Sequence, residues 1–347
     1  MVNDKVSSKY NINLAILRII AMVMVVSIHV GINVHWTQYV YAGQYGVQLF
    51  FILSGYLIFV SLESGISARE FYKKRMLRIV PEYWTALVLY WIVGVIEYLH
   101  TGGIIEAIGQ YDSPYGIRYL RYFTFTNVLL PSNNWYLWNN RNAWWTMSSF
   151  MVFYLLAPLL HIFINRFYKA ILMLTFLLYC TPIFRQLLLR FLSGICEGGG
   201  EGYHLNEFCA YMPFSELYCF FFGIVIYFAV REGKQLIYIV YLLFILCIFN
   251  AGVYLWECLL TLCLIGGVQS QLEFGSRIKK IVAFLSEGSF SVYCIHSRIV
   301  EAISSATGEI SEHNSINFLI VFCITCGVCY GYYGLYQYIK NRVCIKR

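Results

Sequence analysis

Long apolar runs dominate the chain and alternate with short polar segments. Ten of these runs have the length and composition of membrane-spanning helices. They lie at 14–34, 44–62, 80–98, 143–165, 170–192, 213–230, 235–252, 254–270, 281–303 and 316–338. Because a span must satisfy its backbone hydrogen bonds internally, the pattern predicts an all-α polytopic integral membrane protein. We expect residues 1–347 to form a single transmembrane domain.

The long connection at 99–142 interrupts this alternation. It contains an aromatic stretch, 118–131, that is too short to span a bilayer. We therefore predict a re-entrant or interfacial helix in this connection.

The composition agrees with a membrane protein. Of the 347 residues, 59% are hydrophobic and 12% are charged, and the mean hydropathy is +0.63. Soluble domains carry about 25% charged residues, so this composition excludes a soluble domain, a disordered chain and a collagen-like fibre. The formal net charge of +7 reflects membrane topology rather than nucleic-acid binding, and we expect no nucleic-acid partner.

The Lys and Arg residues predict the orientation. With the N-terminus in the cytoplasm, 19 of the 25 fall in inner segments or at inner helix ends, and the outer segments 35–43, 193–212 and 304–315 contain none. Both termini are therefore predicted to be cytoplasmic, as in a multi-pass inner-membrane protein. The exceptions are three residues of the long outer connection and three within apolar runs, namely Arg118, Arg121, Arg141, Arg185, Arg190 and Arg298.

Ionisable residues at bilayer depth are functional candidates. The first apolar run contains Arg18 and His29, which are 11 residues apart. That spacing is three helical turns and about 20°, so both side chains share one face and lie roughly 16 Å apart along the axis. The alternatives are snorkelling of Arg18 to the inner interface and a structural hydrogen bond for His29.

Small, basic and polar positions add further candidates. Ser54-Gly55 interrupts the second run and indicates either close helix packing or close approach to a substrate. Arg75 and Arg78 lie on one side of a predicted short amphipathic helix, and Pro81 is predicted to open the next helix. These arginines are either a lipid-facing topology anchor or a phosphate clamp.

Two later runs carry the remaining candidates. Trp145 begins the fourth run, where an interfacial aromatic belt is the alternative to a site. Glu287, Tyr293 and His296 fall at roughly helical spacing in the ninth run, where a structural hydrogen bond is the alternative for His296. The scattered cysteines, including Cys326 and Cys329, lie mostly in apolar runs, and we predict neither a metal site nor a bound cofactor.

These residues together resemble a known family. The motifs are R-x10-H at Arg18 and His29, then GVQLFFILSGYLI, FYKKRMLRIVPEYW, W-x12-P and SFSVYCIH. In this order they resemble the membrane-bound acyltransferase 3 family, over residues 10 to 300. The fourth run is similar to the branch that includes the enterobacterial common antigen O-acetyltransferase. Two departures are Phe150-Met151, where other branches have a Glu, and Gln48, where many members have an acid.

The resemblance implies a transfer reaction. An acyl group, usually acetyl, would move from cytoplasmic acyl-CoA, the co-substrate, to a hydroxyl of a surface polysaccharide, such as an exopolysaccharide of the cell envelope, or of its lipid-linked precursor. The family's functional positions fall on Arg18, His29, Arg75 and Arg78. The three arginines would bind acyl-CoA, and His29 would act as general base or transiently accept the acyl group. Ser54, Gly55, Trp145, Glu287, Tyr293 and His296 would line the site.

Two other functions remain open. The same polar face would suit an exporter of polysaccharide or lipid, which needs no acyl donor. A catalytically inactive scaffold or sensor is the third hypothesis, because the acid of the fourth run is missing.

Overall fold

A computed structural model describes residues 11–101, 120–129, 131, 144–196, 204–249, 251–270, 272–307 and 315–344. Ten long helices make up most of this part of the chain, and no described residue forms a strand. The helices are α1 (Ile12–Asn33), α2 (Gly46–Glu63), α3 (Ala68–Thr101), α4 (Trp145–Phe163), α5 (Phe167–Ile195), α6 (Leu217–Glu232), α7 (Gln235–Ile248), α8 (Ala251–Gln269), α9 (Ser276–Thr307) and α10 (Ser315–Cys344).

Seven segments in the described part of the chain are long and apolar enough to cross a membrane. They cover all or nearly all of α1, α2, α4, α5, α6, α8 and α10. The helices α3 and α9 are longer but carry several charged residues, and α7 has 14 residues. The prediction of an all-α polytopic membrane protein is confirmed, and the orientation of its termini stays a prediction.

Short helical segments join some of these helices. Thr37–Val40 and Tyr41–Tyr45 lie between α1 and α2, and Leu205–Tyr211 and Pro213–Glu216 precede α6. Leu120–Phe123 forms a single helical turn in the 99–142 connection. The rest of that connection is mostly outside the described residues, so the re-entrant or interfacial helix stays a prediction.

The sequence prediction for the basic segment was wrong in one respect. We expected a separate amphipathic helix ending before Pro81, but α3 continues through Pro81 without a break. Proline removes the hydrogen bond to the carbonyl four residues earlier, here that of Leu77, which is 60% exposed. The hydroxyl of Thr85 donates to the Pro81 carbonyl at 2.7 Å. Buried Phe71, before Pro81, and buried Tyr83, after it, anchor both halves of α3 in the same core.

The centre of the molecule is the contact between α2 and α6. Every residue from Cys219 to Ala229 of α6 is buried. At Gly55 of α2, a Cβ atom would collide with the backbone of Phe220, and at Gly223 of α6 it would collide with the backbone of Ile52. The two glycines let the helix backbones approach closely. The structure therefore places Gly55 in helix packing, which was the alternative reading of this position.

Two parallel helices position the site. Near the inner end of α1 as we predict it, Arg18 donates from Nη1 to the Ser286 hydroxyl of α9 at 3.3 Å. Eleven residues later, the ring of His29 contacts the ring of His296, also on α9. The two contacts are 11 residues apart on α1 and ten residues apart on α9, in the same direction along the chain. The helices are therefore parallel, and α9 packs against the face of α1 that carries Arg18 and His29.

Candidate functional site

A crevice lies among α1, α2, α3, α4 and α9. It contains about 940 Å³ of space not occupied by protein atoms, part of which is open to solvent. Its apolar walls include Phe50, Ile79, Met147, Phe150 and Phe290. Its polar lining consists of Arg18, Ser54, Arg75, Arg78, Glu82, Ser286, Glu287, Ser289 and Tyr293. A crevice with apolar walls and a few convergent polar groups has the composition of a small-molecule site.

Arginines give the crevice a basic end. Arg75 and Arg78, one turn apart on α3, both line it, and Arg18 lines it from α1. The Arg75 guanidinium lies 5.4 Å from the ring centre of Phe71 and 5.7 Å from that of Tyr154. Neither Arg75 nor Arg78 forms an ion pair with another described residue. Two unpaired guanidinium groups on one wall therefore remain available to an anionic ligand.

Two carboxyl groups also line the crevice. The buried Glu82 accepts a short hydrogen bond from the Ser291 hydroxyl of α9. Glu287 accepts from the Tyr333 hydroxyl of α10 at 3.4 Å. The sequence analysis overlooked Glu82, although a charged residue directly after Pro81 in an apolar run was a usable signal.

The histidine pair lies just beyond the crevice. The ring centres of His29 and His296 are 4.8 Å apart, and the rings meet edge to face at 70°. His296 is buried, and its Nδ1 lies 3.0 Å from the Val292 carbonyl and 2.9 Å from the Tyr293 carbonyl. Since carbonyl oxygens only accept, Nδ1 must carry the hydrogen of a neutral ring and Nε2 must be the acceptor. Nε2 has no hydrogen-bond partner among the described residues.

Tyr293 connects the crevice to the histidine pair. Its ring lines the crevice and lies 6.0 Å from the His296 ring, one helical turn along α9. Its hydroxyl forms a short hydrogen bond with the hydroxyl of Thr146 on α4. The Trp144 indole donates to the Cys294 carbonyl at 3.0 Å. Together these contacts fix the segment of α9 that carries His296 against α4.

The structure separates the other candidates. Ser54 and Glu287 line the crevice, and Phe150 occupies the wall where a helix-4 acid would lie. Trp145 is not among the lining residues and instead stacks on Tyr211, with ring centres 4.5 Å apart. Arg18 and His29 both face α9, and His29 is not among the lining residues of the crevice.

Comparisons with known proteins add one match. Residues 11–334 match the sequence profile of acyltransferase family 3, which is described as an acyltransferase domain. No curated protein and no solved structure matches the chain. The matched region contains the crevice, its arginines and the histidine pair. The chain therefore belongs to acyltransferase family 3 and is a membrane acyltransferase.

Proposed function

We propose that the protein is an O-acyltransferase that moves an acyl group, in the first place acetyl, from cytoplasmic acyl-CoA to a hydroxyl of a surface polysaccharide or its lipid-linked precursor. The observation that carries the proposal is one crevice that holds Arg75 and Arg78, which form no ion pair with a described residue, at one end, with a pair of histidines just beyond the other. Family membership supports acyl transfer, and the identity of the donor and the acceptor is the proposal.

The basic end suits the phosphate groups of the donor. Guanidinium groups bind phosphate in a bidentate manner, and such charge-assisted bonds are roughly twice as strong as neutral ones. Arg75 and Arg78 are unpaired on one wall, and we assign them to the CoA phosphates. Arg18 lines the crevice from α1, and its hydrogen bond to Ser286 holds the guanidinium group against α9.

An extended pantetheine arm would carry the thioester from the arginines towards the histidines. Ser286 and His296 are ten residues apart on α9, which corresponds to about 15 Å of helix rise. Phe50, Phe290 and Tyr293 supply apolar surface along this distance. The arm is slender and largely neutral, so this lining suits it better than it suits a charged sugar.

His29 is assigned as the general base. It accepts the proton of the acceptor hydroxyl while the hydroxyl oxygen attacks the thioester carbonyl. The carbon–sulfur bond then breaks, and the CoA thiolate takes up the proton from the His29 imidazolium. His296 is assigned as a positioning residue, because contacts with the backbone of α9 fix its ring, and that ring packs edge to face with His29.

Mass spectrometry of the surface glycans from cells with and without the gene tests this proposal. Loss of one acyl group per repeating unit, restored by the wild-type gene and not by His29→Ala, would support it. Unchanged acylation with less polysaccharide at the surface would contradict it and favour an exporter. Binding of acetyl-CoA to the purified protein, without any turnover on a glycan acceptor, would favour an inactive sensor.

A further inference from the structure

A second polar pocket lies away from the crevice, on the outer half of α5 in the predicted orientation. It contains about 570 Å³ of space not occupied by protein atoms, part of it open to solvent. Pro182, Arg185, Gln186 and Leu189 form one wall, and Asn206 and Cys209 form the other. The first four fall at positions i, i+3, i+4 and i+7 of α5, which is one face of a helix.

The walls of this pocket are held in place. Cys209 packs in a small cluster with Leu192 of α5 and with Leu205 and Phe208 of the short helix Leu205–Tyr211. The Ser215 hydroxyl donates to the Cys209 carbonyl at 2.6 Å. Pro182 leaves the Leu178 carbonyl without its helical partner, and the Tyr254 hydroxyl of α8 donates to that carbonyl at 3.4 Å. The pocket is therefore a built feature of the fold.

The polar side chains of the pocket, Arg185, Gln186 and Asn206, are exposed. On another face of α5, Ile183, Leu187 and Phe191 are each more than half exposed, as expected for side chains that face acyl chains. Arg185 follows Lys169 by 16 residues, which is about 24 Å of helix rise. With Lys169 at the inner interface, Arg185 lies close to the outer boundary of a hydrocarbon core of about 30 Å. Lipid phosphates lie just outside this boundary, and a long arginine side chain can extend towards them.

The Arg185 guanidinium group can still donate hydrogen bonds to a ligand. The described residues give its guanidinium neither a hydrogen bond nor an ion pair, although Glu216 interacts with it electrostatically at longer range. An arginine in the outer half of a span is costly and opposes the predicted charge asymmetry. Gln186 and Asn206 add amide donors on the two walls.

We propose that this pocket binds the phosphate group of a membrane lipid, with Arg185 as the principal ligand and Gln186 and Asn206 as hydrogen-bond donors. The lipid we favour is a polyprenyl phosphate or diphosphate, the carrier class of lipid-linked glycans. This preference rests on the proposed function, in which the acceptor arrives on such a carrier. The phosphate site itself does not depend on it.

Binding of a long-chain polyprenyl phosphate to the purified full-length protein, followed by native mass spectrometry, tests the site. The comparison ligands are the polyprenol of equal length, phosphatidylglycerol and inorganic phosphate. We expect the polyprenyl phosphate to bind more tightly than the polyprenol, and Arg185→Gln to weaken it about tenfold, as for loss of a charge-assisted bidentate contact.

Arg190→Gln is the matched control. It removes the same charge from the same end of α5, but Arg190 lies about 140° further round the axis and outside the pocket lining. Equal binding by wild type and Arg185→Gln, or an equal loss in Arg190→Gln, would overturn the proposal. Inorganic phosphate binding as tightly as the lipid would overturn its lipid part.

The comparison ligands also distinguish a site for the glycan carrier lipid from a site for membrane phospholipids. Preference for polyprenyl phosphate over phosphatidylglycerol would support a carrier site, and equal Arg185-dependent binding of both would support a general site for lipid phosphates. Acetyl-CoA binding should be the same in Arg185→Gln and wild type. Arg185-dependent lipid binding in a protein without acyl transfer would leave the phosphate site standing while the proposed function fails.

Discussion

The ring of His29 on α1 lies 4.8 Å from the ring of His296 on α9, with 70° between the ring planes. The two residues are 267 positions apart in the chain (296 minus 29). The His296 ring is fixed by the backbone of its own helix, and the two rings meet edge to face. This arrangement suits a pair in which one histidine reacts and the other positions it.

Replacing His29 by Ala should abolish acyl transfer and leave acetyl-CoA binding intact. A general base contributes about a hundredfold to ten-thousandfold to a rate, and the CoA phosphates are assigned to arginines elsewhere in the crevice. Release of CoA in the presence of a glycan acceptor measures the first effect, and equilibrium binding measures the second. Near-normal turnover by this variant would exclude His29 as the base.

Replacing His296 by Ala should lower kcat about tenfold to a hundredfold and leave KM for acetyl-CoA nearly unchanged. The reason is that His296 lies against His29 and is not a lining residue of the crevice, whereas the arginines assigned to the CoA phosphates do line it. Steady-state kinetics separate the two parameters. An equal rise in KM would instead indicate general damage to the crevice.

Arg75→Gln and Arg78→Gln should each weaken acetyl-CoA binding by about tenfold, because each removes a charge-assisted contact to phosphate. Lys73→Gln is the control, since Lys73 is an exposed cation on the same helix outside the crevice lining. Titration of the purified variants with acetyl-CoA gives the dissociation constants. If Lys73→Gln weakens binding as much as the arginine variants, the effect is general surface charge rather than a clamp.

Gly55→Ala should destabilise the protein by about 1–3 kcal/mol, the usual cost of overpacking a filled core. The added methyl group would collide with the backbone of α6 at Phe220, which cannot move aside as a side chain would. Gly223→Ala should behave in the same way from the other helix.

The matched control for this pair is Gly266→Ala, because a Cβ atom at Gly266 meets nothing within 4 Å. Thermal unfolding in detergent measures all three variants. Equal unfolding midpoints for Gly55→Ala and Gly266→Ala would show that the α2–α6 contact is looser than the structure indicates.

The all-α polytopic architecture followed from the sequence alone. A helix that spans a bilayer must be long and apolar, and its backbone hydrogen bonds must be satisfied within the helix. Each such helix can therefore be predicted from its own stretch of sequence. Each of the ten predicted runs overlaps a helix of the described chain, and seven described segments are long and apolar enough to cross a membrane. The predicted helix boundary at Pro81 was wrong, because α3 is packed into the core on both sides of this proline and continues through it.

The shared face of Arg18 and His29 also followed from the sequence, because helical geometry fixes the angle between residues of one helix. Which residues of other helices meet that face did not follow. Lipid tails are as apolar as the side chains of a neighbouring helix, so hydrophobicity does not select which helices pack together in a membrane. Shape and close contacts between small residues decide the packing. Only the tertiary structure therefore decided that Gly55 packs against α6 and that Glu82 lines the crevice. It also decided that His296, from the other end of the chain, meets His29.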